Sequence, residues 1–404
     1  MEQINRTHSP AFRPVTPDPQ QDLMPVAQLV AGVFTKGQYV QEYSQNYIGN
    51  SHYDWSTTRL VWDGENPVHH WGVWGYQMRV ENVELKVAGI GAVATHSDYR
   101  NQGLMHQAAQ ASFQAMQRDG YDLSILRGRH YVKMGYARAW NYVNYRVKPG
   151  EIPLMEVVQP YPPLEFDRLP EMDRLYNWAH AGFTGTAVRP TYRNRHPDDI
   201  GVYAWFGATG KLDGYVRALP AEDDPKTLQC LEAVGDPQQG LAVMGDLFKK
   251  GNYERLTFFT LPYLHPLLQF LRLGACIVED RYFDVSGWRV RTVNLRRALE
   301  KLSSLFEKRL EQSQGAGWQG YLHLDGGEQK ATLQLVKGKV KITDDGMVEN
   351  RLHGGADIAR FLIGSDEPEE IIRQANMGCS GIAIPLVRVL FPNLHPMMSH
   401  WDEY

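Results

Sequence analysis

A short polar stretch near residue 100 carries residue types that could bind a phosphate. The chain reads ATHSDYRNQGLMHQAAQ from Ala94 to Gln110, so Arg100 is followed by a polar turn, Gly103 and a helical pattern. The first N–H groups of a helix have no partner within the helix and carry partial positive charge, and glycine lets a ligand approach the backbone closely. Arg100 would add a charge-assisted contact. An Asn101 cap and a turn glycine explain the same spacing without a ligand, so both interpretations stay open on the spacing alone.

The neighbouring segments predict the elements that must position this turn. Apolar residues at three- and four-residue spacing predict helices over 22–34 and 102–118. Apolar and alternating runs predict strands at 57–63, 68–80, 83–95 and 121–126. The polar turn therefore lies between a strand and a helix, inside a strand–helix–strand unit that follows an antiparallel meander.

Length and composition bound the class of protein. The chain has 404 residues, which suggests two or three domains, and its 43% hydrophobic and 22% charged residues are typical of a globular protein. No apolar run approaches the ~20 residues of a membrane span. The first residues lack a basic start followed by an apolar stretch, so we expect no secretory signal. We therefore expect a cytoplasmic protein that does not bind a membrane.

Charge and cysteine usage exclude other classes. A formal net charge of -4 gives no basic field for nucleic acid, which we therefore do not expect as a partner. Cys230, Cys276 and Cys379 lie far apart in sequence, and none has a Cys or His at metal-binding spacing. We expect buried structural thiols and no metal site.

Two motifs in the first 150 residues resemble a known family. VATHSDYRNQGLM, followed by YDLSILRGRHYVKMGY, resembles the acetyl-CoA-binding core of the GNAT N-acetyltransferases, whose loop reads Q/RxxGxG/A and whose next strand and helix carry YxxxGY/F. Met105 departs from this pattern, because a small residue is usual there. With its length and C-terminal region, the chain resembles the narrower group of Eis (enhanced intracellular survival) acetyltransferases. The resemblance covers essentially the whole chain, although its specific motifs lie between Val93 and Tyr136.

The resemblance implies the fold class and the domains. Eis proteins have two tandem GNAT-like folds of α/β and α+β type, followed by an α+β domain of sterol carrier protein type. The expected domains are a catalytic GNAT domain over 1–150, a second, degenerate GNAT-like domain over 151–288 and a sterol carrier-like domain over 289–404.

Internal similarity supports the tandem arrangement. NQGLMHQA at 101–108 pairs with QQGLAVMG at 238–245, and Gly135 pairs with Gly274. Pro237 then corresponds to Arg100, and Phe270 to Tyr131. Proline offers neither a guanidinium nor an N–H, and phenylalanine lacks the hydroxyl, so the second copy has lost the residues that could bind and use a cofactor.

The last hundred residues predict a separate α+β unit. Leu295, Leu299, Leu302, Phe306 and Leu310 recur at helical spacing. Turn signals at Asp325-Gly326-Gly327 and Asp344-Asp345-Gly346 accompany the strand patterns ATLQLV and KVKIT. Sterol carrier domains can hold lipid in an apolar tunnel, but a filled core explains the same pattern.

The resemblance also assigns the cosubstrate site. Acetyl-CoA is the expected cosubstrate, with the strand backbone at Val93 and Thr95 beside its pantetheine arm. Its pyrophosphate would lie among Arg100, Asn101, Gln102, Gly103 and Leu104. The Eis pattern is richer in arginine at this loop. Arg127 and Arg129 either compensate by reaching phosphate or form a solvated basic patch.

Acyl transfer defines the remaining roles. The amine must lose a proton, and the departing thiolate must gain one. Tyr131 matches the family's general acid, and its reference pKa of ~10 against ~8.5 for a thiol allows that transfer. In the Eis family the C-terminal carboxylate is the general base, which implies this role for the carboxylate of Tyr404. A core aromatic at Tyr131 and a frayed C-terminus are the structural alternatives.

The acceptor amine is less defined by sequence. Eis enzymes acetylate several amines, among them aminoglycosides, in acidic pockets, whereas RGRH precedes Tyr131 here. Asp402 and Glu403 retain acidic groups near the end of the chain. Two histidines could act as bases or be structural, and four tryptophans could line a pocket or fill a core: His69, His70, Trp55, Trp62, Trp71 and Trp74.

Three functions remain in view. The expected one is acetyl-CoA-dependent N-acetylation of a primary amine, such as an aminoglycoside or a lysine side chain of a peptide. The alternatives are a lipid or small-ligand binding protein acting through the third domain, and a catalytically silent GNAT scaffold. Eis enzymes are commonly hexameric, so self-association is also expected.

Overall fold

The protein is described by a computed structural model that covers residues 12–151, 156–190, 201–344 and 348–403. These residues form three β-sheets with helices on their faces. Within them, no helix combines the length and apolarity needed to cross a membrane. The fold is mixed α/β, as expected for a GNAT protein.

The first sheet has the strand order β1-β2-β3-β4-β12-β5. Its strands are β1 (Arg59–Asp63), β2 (Asn66–Val80), β3 (Val83–Thr95), β4 (Leu123–Arg127), β5 (Ala137–Arg138) and β12 (Trp288–Thr292). Its helices are α1 (Leu23–Thr35), α2 (Val40–Glu42), which continues as a π-helix over Tyr43–Gly49, and α3 (Leu104–Arg118). The predicted strands and helices of this region are confirmed to within two residues.

The two faces of the first sheet are covered by different helices. Trp74 on β2 is fully buried among the side chains of α1 and the π-helix. Trp71 on the same strand is fully buried on the other face, with Ala108 and Met116 of α3. Side chains of a strand alternate between faces, so β2 serves both layers of the core. These two tryptophans are core residues, as the structural alternative held.

The second sheet has the order β7-β8-β9-β10-β6-β11. Its strands are β6 (Tyr142–Val147), β7 (Val202–Phe206), β8 (Leu212–Ala221), β9 (Asp224–Val234), β10 (Arg255–Phe259) and β11 (Ile277–Arg281). Its helices are α4 (Leu169–Ala179), α5 (Pro237–Lys250) and α6 (Pro266–Leu273). As in the first sheet, an antiparallel hairpin leads into a strand–helix–strand unit whose two strands are parallel.

The two sheets exchange one strand. β6 follows β5 in sequence but lies between β10 and β11, whereas β12 follows β11 but lies between β4 and β5. All five residues of β12 pair with β4, so the exchange covers an edge that would otherwise expose unpaired backbone groups. The sheets therefore cross the boundaries predicted at 150 and 288, which otherwise stay predictions for the domains as units.

The third sheet belongs to the C-terminal region and has the order β15-β14-β13-β16-β17. Its strands are β13 (Gly320–Asp325), β14 (Lys330–Val336), β15 (Lys339–Thr343), β16 (Arg351–His353) and β17 (Gly378–Ser380). Its helices are α7 (Leu295–Glu311), α8 (Ile358–Ile363), α9 (Pro368–Gln374) and α10 (Ala383–Leu390). The five apolar residues predicted on one face of α7 are all buried.

The hairpin turns of this region were predicted in part. The turn after Asp325 connects β13 to β14, as predicted. β14 and β15 are joined at Lys337 and Gly338, whose φ angles of 50° and 72° suit a two-residue hairpin turn. That turn carried no signal recognised in the sequence. The turn predicted at Asp344-Asp345-Gly346 falls largely outside the described residues.

Candidate active site

The parallel strands β3 and β4 separate toward their carboxyl ends. Their pairing joins Val87–Gly89 to Leu123–Ile125 and stops there, whereas β3 continues to Thr95 along β2. The backbone of β3 beyond Gly89 is therefore open on the side away from β2. Val93 and Thr95 lie half-buried in this open stretch. An extended chain with amide groups could pair there as an added strand.

The polar turn begins at the end of this open stretch. Asn101 and Gly103 have φ angles of 62° and 79°, so the backbone twice enters the left-handed region before α3 starts. A Cβ placed on Gly103 would have nothing within 4 Å, so a ligand can approach this glycine. Arg100 is exposed, and its Nε lies 3.4 Å from the Thr95 carbonyl oxygen.

The N-terminus of α3 is left open by its own side chains. Among the described residues, no side chain caps it, and its first turn contains no acidic residue. The N–H groups that have no partner inside a helix therefore remain available for an anion, together with the positive end of the helix dipole. This is the phosphate-binding geometry that the sequence predicted from Arg100 to Leu104.

Tyr131 lies beside the open stretch of β3. It sits in a short 3-10 helix (Arg129–Met134) that follows β4. Its ring centroid is 5.8 Å from that of Trp71, and the half-buried Val93 and Met105 pack against the same cluster of buried side chains. Met105, the departure from the family loop, therefore occupies a packing position. Within the described chain, no hydrogen bond is formed by the Tyr131 hydroxyl, and burial raises its pKa to about 12.

A bulge in β3 separates this groove from a second space. The register between β2 and β3 shifts between His70 and Gly72, and Ala92 has a φ angle of 47°. His70 Nδ1 lies 2.7 Å from the Ala92 carbonyl oxygen, and its Nε2 lies 2.6 Å from the Tyr53 hydroxyl. When Nδ1–H donates a hydrogen bond to the Ala92 carbonyl oxygen, Nε2 accepts a hydrogen bond from the Tyr53 hydroxyl. His70 thus supports the bulge.

Neither predicted histidine is placed as a base. Burial lowers the pKa of His69 to about 3 and that of His70 to about 4, and both side chains are fully buried. His69 Nδ1 lies 2.7 Å from Thr95 Oγ1. Both rings are therefore neutral near pH 7, and their hydrogen bonds connect β2 to β3.

A cavity of about 870 Å³ opens on the other side of the bulge. Ala92 forms part of its wall, and it extends between the helices on the first sheet and strands β8 and β9 of the second. Three acidic residues, Glu42, Glu222 and Asp223, and one basic residue, Arg217, line it. Its aromatic wall includes Phe34, Tyr39, Tyr43, Tyr47 and Trp401. Acidic and aromatic groups together suit a cationic amine with an apolar body.

The end of the described chain forms another wall of this cavity. His400 and Trp401 line it, and the next residue, Asp402, is fully buried in an ion pair with Arg189. Glu403 forms an ion pair with Arg127, in which Oε2 is 2.9 Å from Nη1, at the end of β4. Tyr404, whose carboxylate was the expected base, lies outside the described residues.

These contacts bear on the two arginines and two acids singled out in the sequence. The guanidinium carbon of Arg127 lies 5.3 Å from the centroid of the Trp288 ring, and its Nη1 pairs with Glu403 near the end of the chain. Arg129 is half-exposed, with Asp284 at 3.6 Å. Asp402 is committed to a buried ion pair, which removes it from the acidic groups that could contact an amine.

The corresponding region of the second sheet is closed. Asp236 caps α5 by accepting hydrogen bonds from the N–H groups of Gln238 and Gln239. Two side chains bond the free carbonyl groups of β9: Thr260 Oγ1 lies 3.4 Å from the Leu231 oxygen, and His265 Nε2 lies 2.9 Å from the Ala233 oxygen. An added strand and a phosphate therefore find no open partners here.

One part of the chain matches a family model. Residues 12–139 match the family model described as an acetyltransferase (GNAT) domain. This part of the chain contains the open groove and the turn at Arg100 to Leu104, so the chain carries a GNAT acetyltransferase domain. A comparison with curated proteins finds no match.

Solved structures share the fold of nearly the whole chain. A GCN5-related N-acetyltransferase from Anabaena variabilis ATCC 29413 has a TM-score of 0.73 and 17% identity, and the match covers 96% of this chain and 99% of that chain. A probable N-acyltransferase from Enterococcus faecalis V583 has a TM-score of 0.73 and 15% identity, with the same coverage. Eis1 from Mycobacterium abscessus has a TM-score of 0.69 and 14% identity over 96% and 99% of the two chains. At these identities the likeness defines the fold alone.

Several residues of the site gave no recognised signal in the sequence. Tyr53 and Glu42 lie far from the GNAT motifs, and Arg189 and Glu232 meet Asp402 only through the tertiary fold. An isolated arginine or glutamate in a sequence does not reveal a partner more than 40 residues away. Of the acidic residues in this region, the sequence analysis singled out only Asp402 and Glu403.

Proposed function

We propose that this protein is an acetyl-CoA-dependent N-acetyltransferase that acts on a primary amine. The observation that carries the proposal is the open groove between β3 and β4, which ends at an uncapped helix N-terminus and has Tyr131 at its side. The second sheet, with the same strand order, is closed at the corresponding place. A silent scaffold would give no reason for this difference.

The residues of the first sheet fit the expected cosubstrate. Val93 and Thr95 offer backbone groups to the pantetheine arm, and the turn from Arg100 to Leu104 offers N–H groups and a guanidinium to the pyrophosphate. Acetyl-CoA supplies an acetyl thioester as the acyl donor. The bulge at Ala92, supported by His70, lies between this groove and the cavity proposed for the amine.

Tyr131 is proposed as the general acid. Its buried hydroxyl, with a pKa of about 12, stays protonated across the physiological range and can donate from Oη to the departing thiolate. The carboxylate of Tyr404 is proposed as the base that takes the amine proton. The ion pair of Glu403 with Arg127 supports this role, because it holds the preceding residue at the end of β4. Deleting Tyr404 should depress turnover without changing acetyl-CoA binding, and a deletion variant with full turnover rejects this base.

The acceptor is proposed to be an amine with a cationic and apolar character. Glu42, Glu222 and Asp223 would attract it, and the aromatic wall would contact its body. Aminoglycosides, lysine side chains and other primary amines all meet this description. The two arginines before Tyr131 pair with Glu403 and Asp284, so their charges are partly compensated.

The decisive experiment is a thiol-release assay with acetyl-CoA and a panel of amines. We expect thiol release that depends on the amine. Glu222→Gln should raise KM for a polyamine more than for an amine that carries a single positive charge. Arg168→Gln, a charge change away from the cavity, is the matched control. Retention of a ligand without any amine-dependent turnover rejects the acetyltransferase assignment.

The remaining assignments complete the proposal. The second sheet is proposed to be a GNAT-like copy without a cofactor site, and the C-terminal region a sterol carrier-like domain. Leu302, Phe306 and Leu333 are almost fully buried in the core of that region, which favours a filled interior over a lipid tunnel. A cytoplasmic location remains part of the proposal.

Self-association is also proposed, with a hexamer as the specific expectation. The edge strand β11 supports it, because Ile277 and Val278 are exposed there and Leu273 nearby is 87% exposed. Apolar side chains along an unpaired strand edge favour contact with another chain. Light scattering at the mass of one 46.1 kDa chain rejects the proposal.

A further inference from the structure

Three distant parts of the chain meet in one buried ion network. Arg189 donates from Nη1 and Nη2 to the two oxygens of Glu232, at 2.8 and 2.5 Å. Its Nε donates to Asp402 Oδ1 at 2.9 Å. The Ser399 hydroxyl and the Tyr215 hydroxyl donate to Glu232 at 2.5 and 2.6 Å. Tyr215 and Glu232 belong to β8 and β9 of the second sheet, whereas Arg189 follows a segment that is hydrogen-bonded to β2 of the first sheet. The network therefore joins both sheets to residues 399–402.

The charges of this network are fully enclosed by protein. The exposed fractions of the Arg189, Glu232 and Asp402 side chains are 0%, 2% and 0%. Burial by itself raises the pKa of Glu232, but the Arg189 charge outweighs burial and lowers this pKa below its ordinary value. Buried charges are costly unless they are paired and hydrogen-bonded, so this geometry strongly constrains its members.

The segment attached to the network forms part of the candidate active site. Residues 396–403, here called the tail, pass Gly185 so closely that a Cβ there would lie 2.5 Å from the Met397 backbone. Ser399 and Asp402 are then held by the network, while His400 and Trp401 line the acidic cavity and Glu403 pairs with Arg127. The tail thus runs from the second sheet to the end of β4.

We propose that Arg189, together with Glu232 of the second sheet, holds the tail, and that Arg189, Glu232 and Asp402 are positioning residues for acetyl transfer. This inference rests on the proposed function and assigns a role to the sheet whose own groove is closed. The network holds Ser399 and Asp402 rigidly, and the residues between and after them form the wall of the amine cavity and the approach to β4. The groups touching the acyl donor lie elsewhere, so the network acts on the tail alone.

Asp402→Asn is the sharpest test, because it removes one tail charge and leaves the neutral Arg189–Glu232 pair intact. Hydrogen exchange followed by mass spectrometry should show faster exchange of the tail amides. We expect kcat to fall about 100-fold, since displacement by about 1 Å can cost that much in rate. KM for acetyl-CoA should change less than twofold. Ser399→Ala, which keeps all charges, should give a smaller change in the same direction and serves if Asp402→Asn does not fold.

Asp122→Asn is the matched control. Asp122 is also fully buried and pairs with Lys301 at 2.5 Å and Arg297 at 3.1 Å, but these contacts hold α7 against the first sheet. This variant should lower Tm while tail exchange and kcat stay near their original values. Equal loss of kcat in both variants would show a general stability effect and overturn the proposal.

The remaining outcomes separate this proposal from the proposed function. Unchanged hydrogen exchange of the tail in Asp402→Asn would overturn the proposal that the network holds the tail. Faster exchange with full kcat would overturn the link between the position of the tail and catalysis. If the original protein acetylates no amine in the panel, the proposed function fails and the catalytic part of this inference fails with it. Faster hydrogen exchange of the tail in the variant would still support the part of the proposal in which the network holds the tail.

Discussion

The two large sheets share a strand order but differ at the place where their central parallel strands end and the next helix begins. In the first, β3 and β4 separate after Gly89, and α3 begins at Gly103 without a side-chain cap. In the second, Asp236 caps α5, and Thr260 and His265 bond the carbonyl groups of β9. A few side chains thus decide whether the same scaffold has an open groove.

The difference shows that two sheets with the same strand order need not offer the same binding groups. The strand exchange between β6 and β12 involves both sheets equally, so it contributes stability without distinguishing them. Glu232 of the closed sheet contacts Ser399 near the end of the chain and shares Arg189 with Asp402, whereas the open sheet has an unpaired strand backbone and an uncapped helix N-terminus. Function belongs to sites placed on a fold and need not accompany the fold itself.

The largest expected effect comes from exchanging the hydroxyl between corresponding positions. Tyr131→Phe removes the proposed proton donor and keeps the ring against Trp71, so kcat should fall about 100- to 10,000-fold while acetyl-CoA affinity is kept. Phe270→Tyr, at the corresponding position, should leave kcat unchanged. Steady-state kinetics with the best amine, together with calorimetry of acetyl-CoA binding, provide both readouts. An unchanged kcat in Tyr131→Phe would remove this residue from the mechanism.

A smaller effect is expected at the two helix starts. Arg100→Ala should weaken acetyl-CoA binding about 10- to 100-fold, because a charge-assisted hydrogen bond is lost. Pro237→Ala is the matched change in the closed sheet and should leave the affinity as it is. Isothermal calorimetry should also give one acetyl-CoA per chain. A stoichiometry of two would break the comparison, since it would place a working site in the second sheet.

The smallest effect expected from a single residue, taken per pH unit, is the pH dependence of stability that comes from the buried histidines of both sheets. Burial lowers the pKa of His69 and His180 to about 3 and that of His70 and His265 to about 4. Below about pH 6.5 the unfolded chain therefore binds protons that the folded chain does not. The stability from these rings is complete above that pH and decreases as the pH falls toward 4, by up to about 1.4 kcal/mol per pH unit for each ring.

Urea unfolding between pH 7 and pH 5 measures this loss. His265→Gln should reduce the pH dependence by one proton, and His70→Gln should do the same in the first sheet. A stability that does not change between these two pH values would contradict the neutral, buried state of the rings.

Much of the first sheet could be predicted from its sequence. Alternation along 68–80 and 83–95 predicted β2 and β3, and apolar spacing predicted α3, because these patterns are local and have a fixed period. The turn at Arg100 to Gly103 was recognisable for the same reason: its residue types determine its own backbone angles. The residue pairs Arg100 and Pro237, and Tyr131 and Phe270, also predicted from sequence that the two regions differ.

Only the tertiary structure decided how distant segments combine. The strands β6 and β12 carry no local mark of the sheet they join, since pairing depends on which edge is open in space. Likewise, Arg189 meets Glu232 43 positions away and Asp402 213 positions away, and neither separation follows a helical or strand period. Local preferences act over a few residues, whereas burying a charge requires a partner supplied by the whole fold. The sequence by itself therefore determined the elements and the turn, and the packing of the two sheets decided the cavity and the course of the tail.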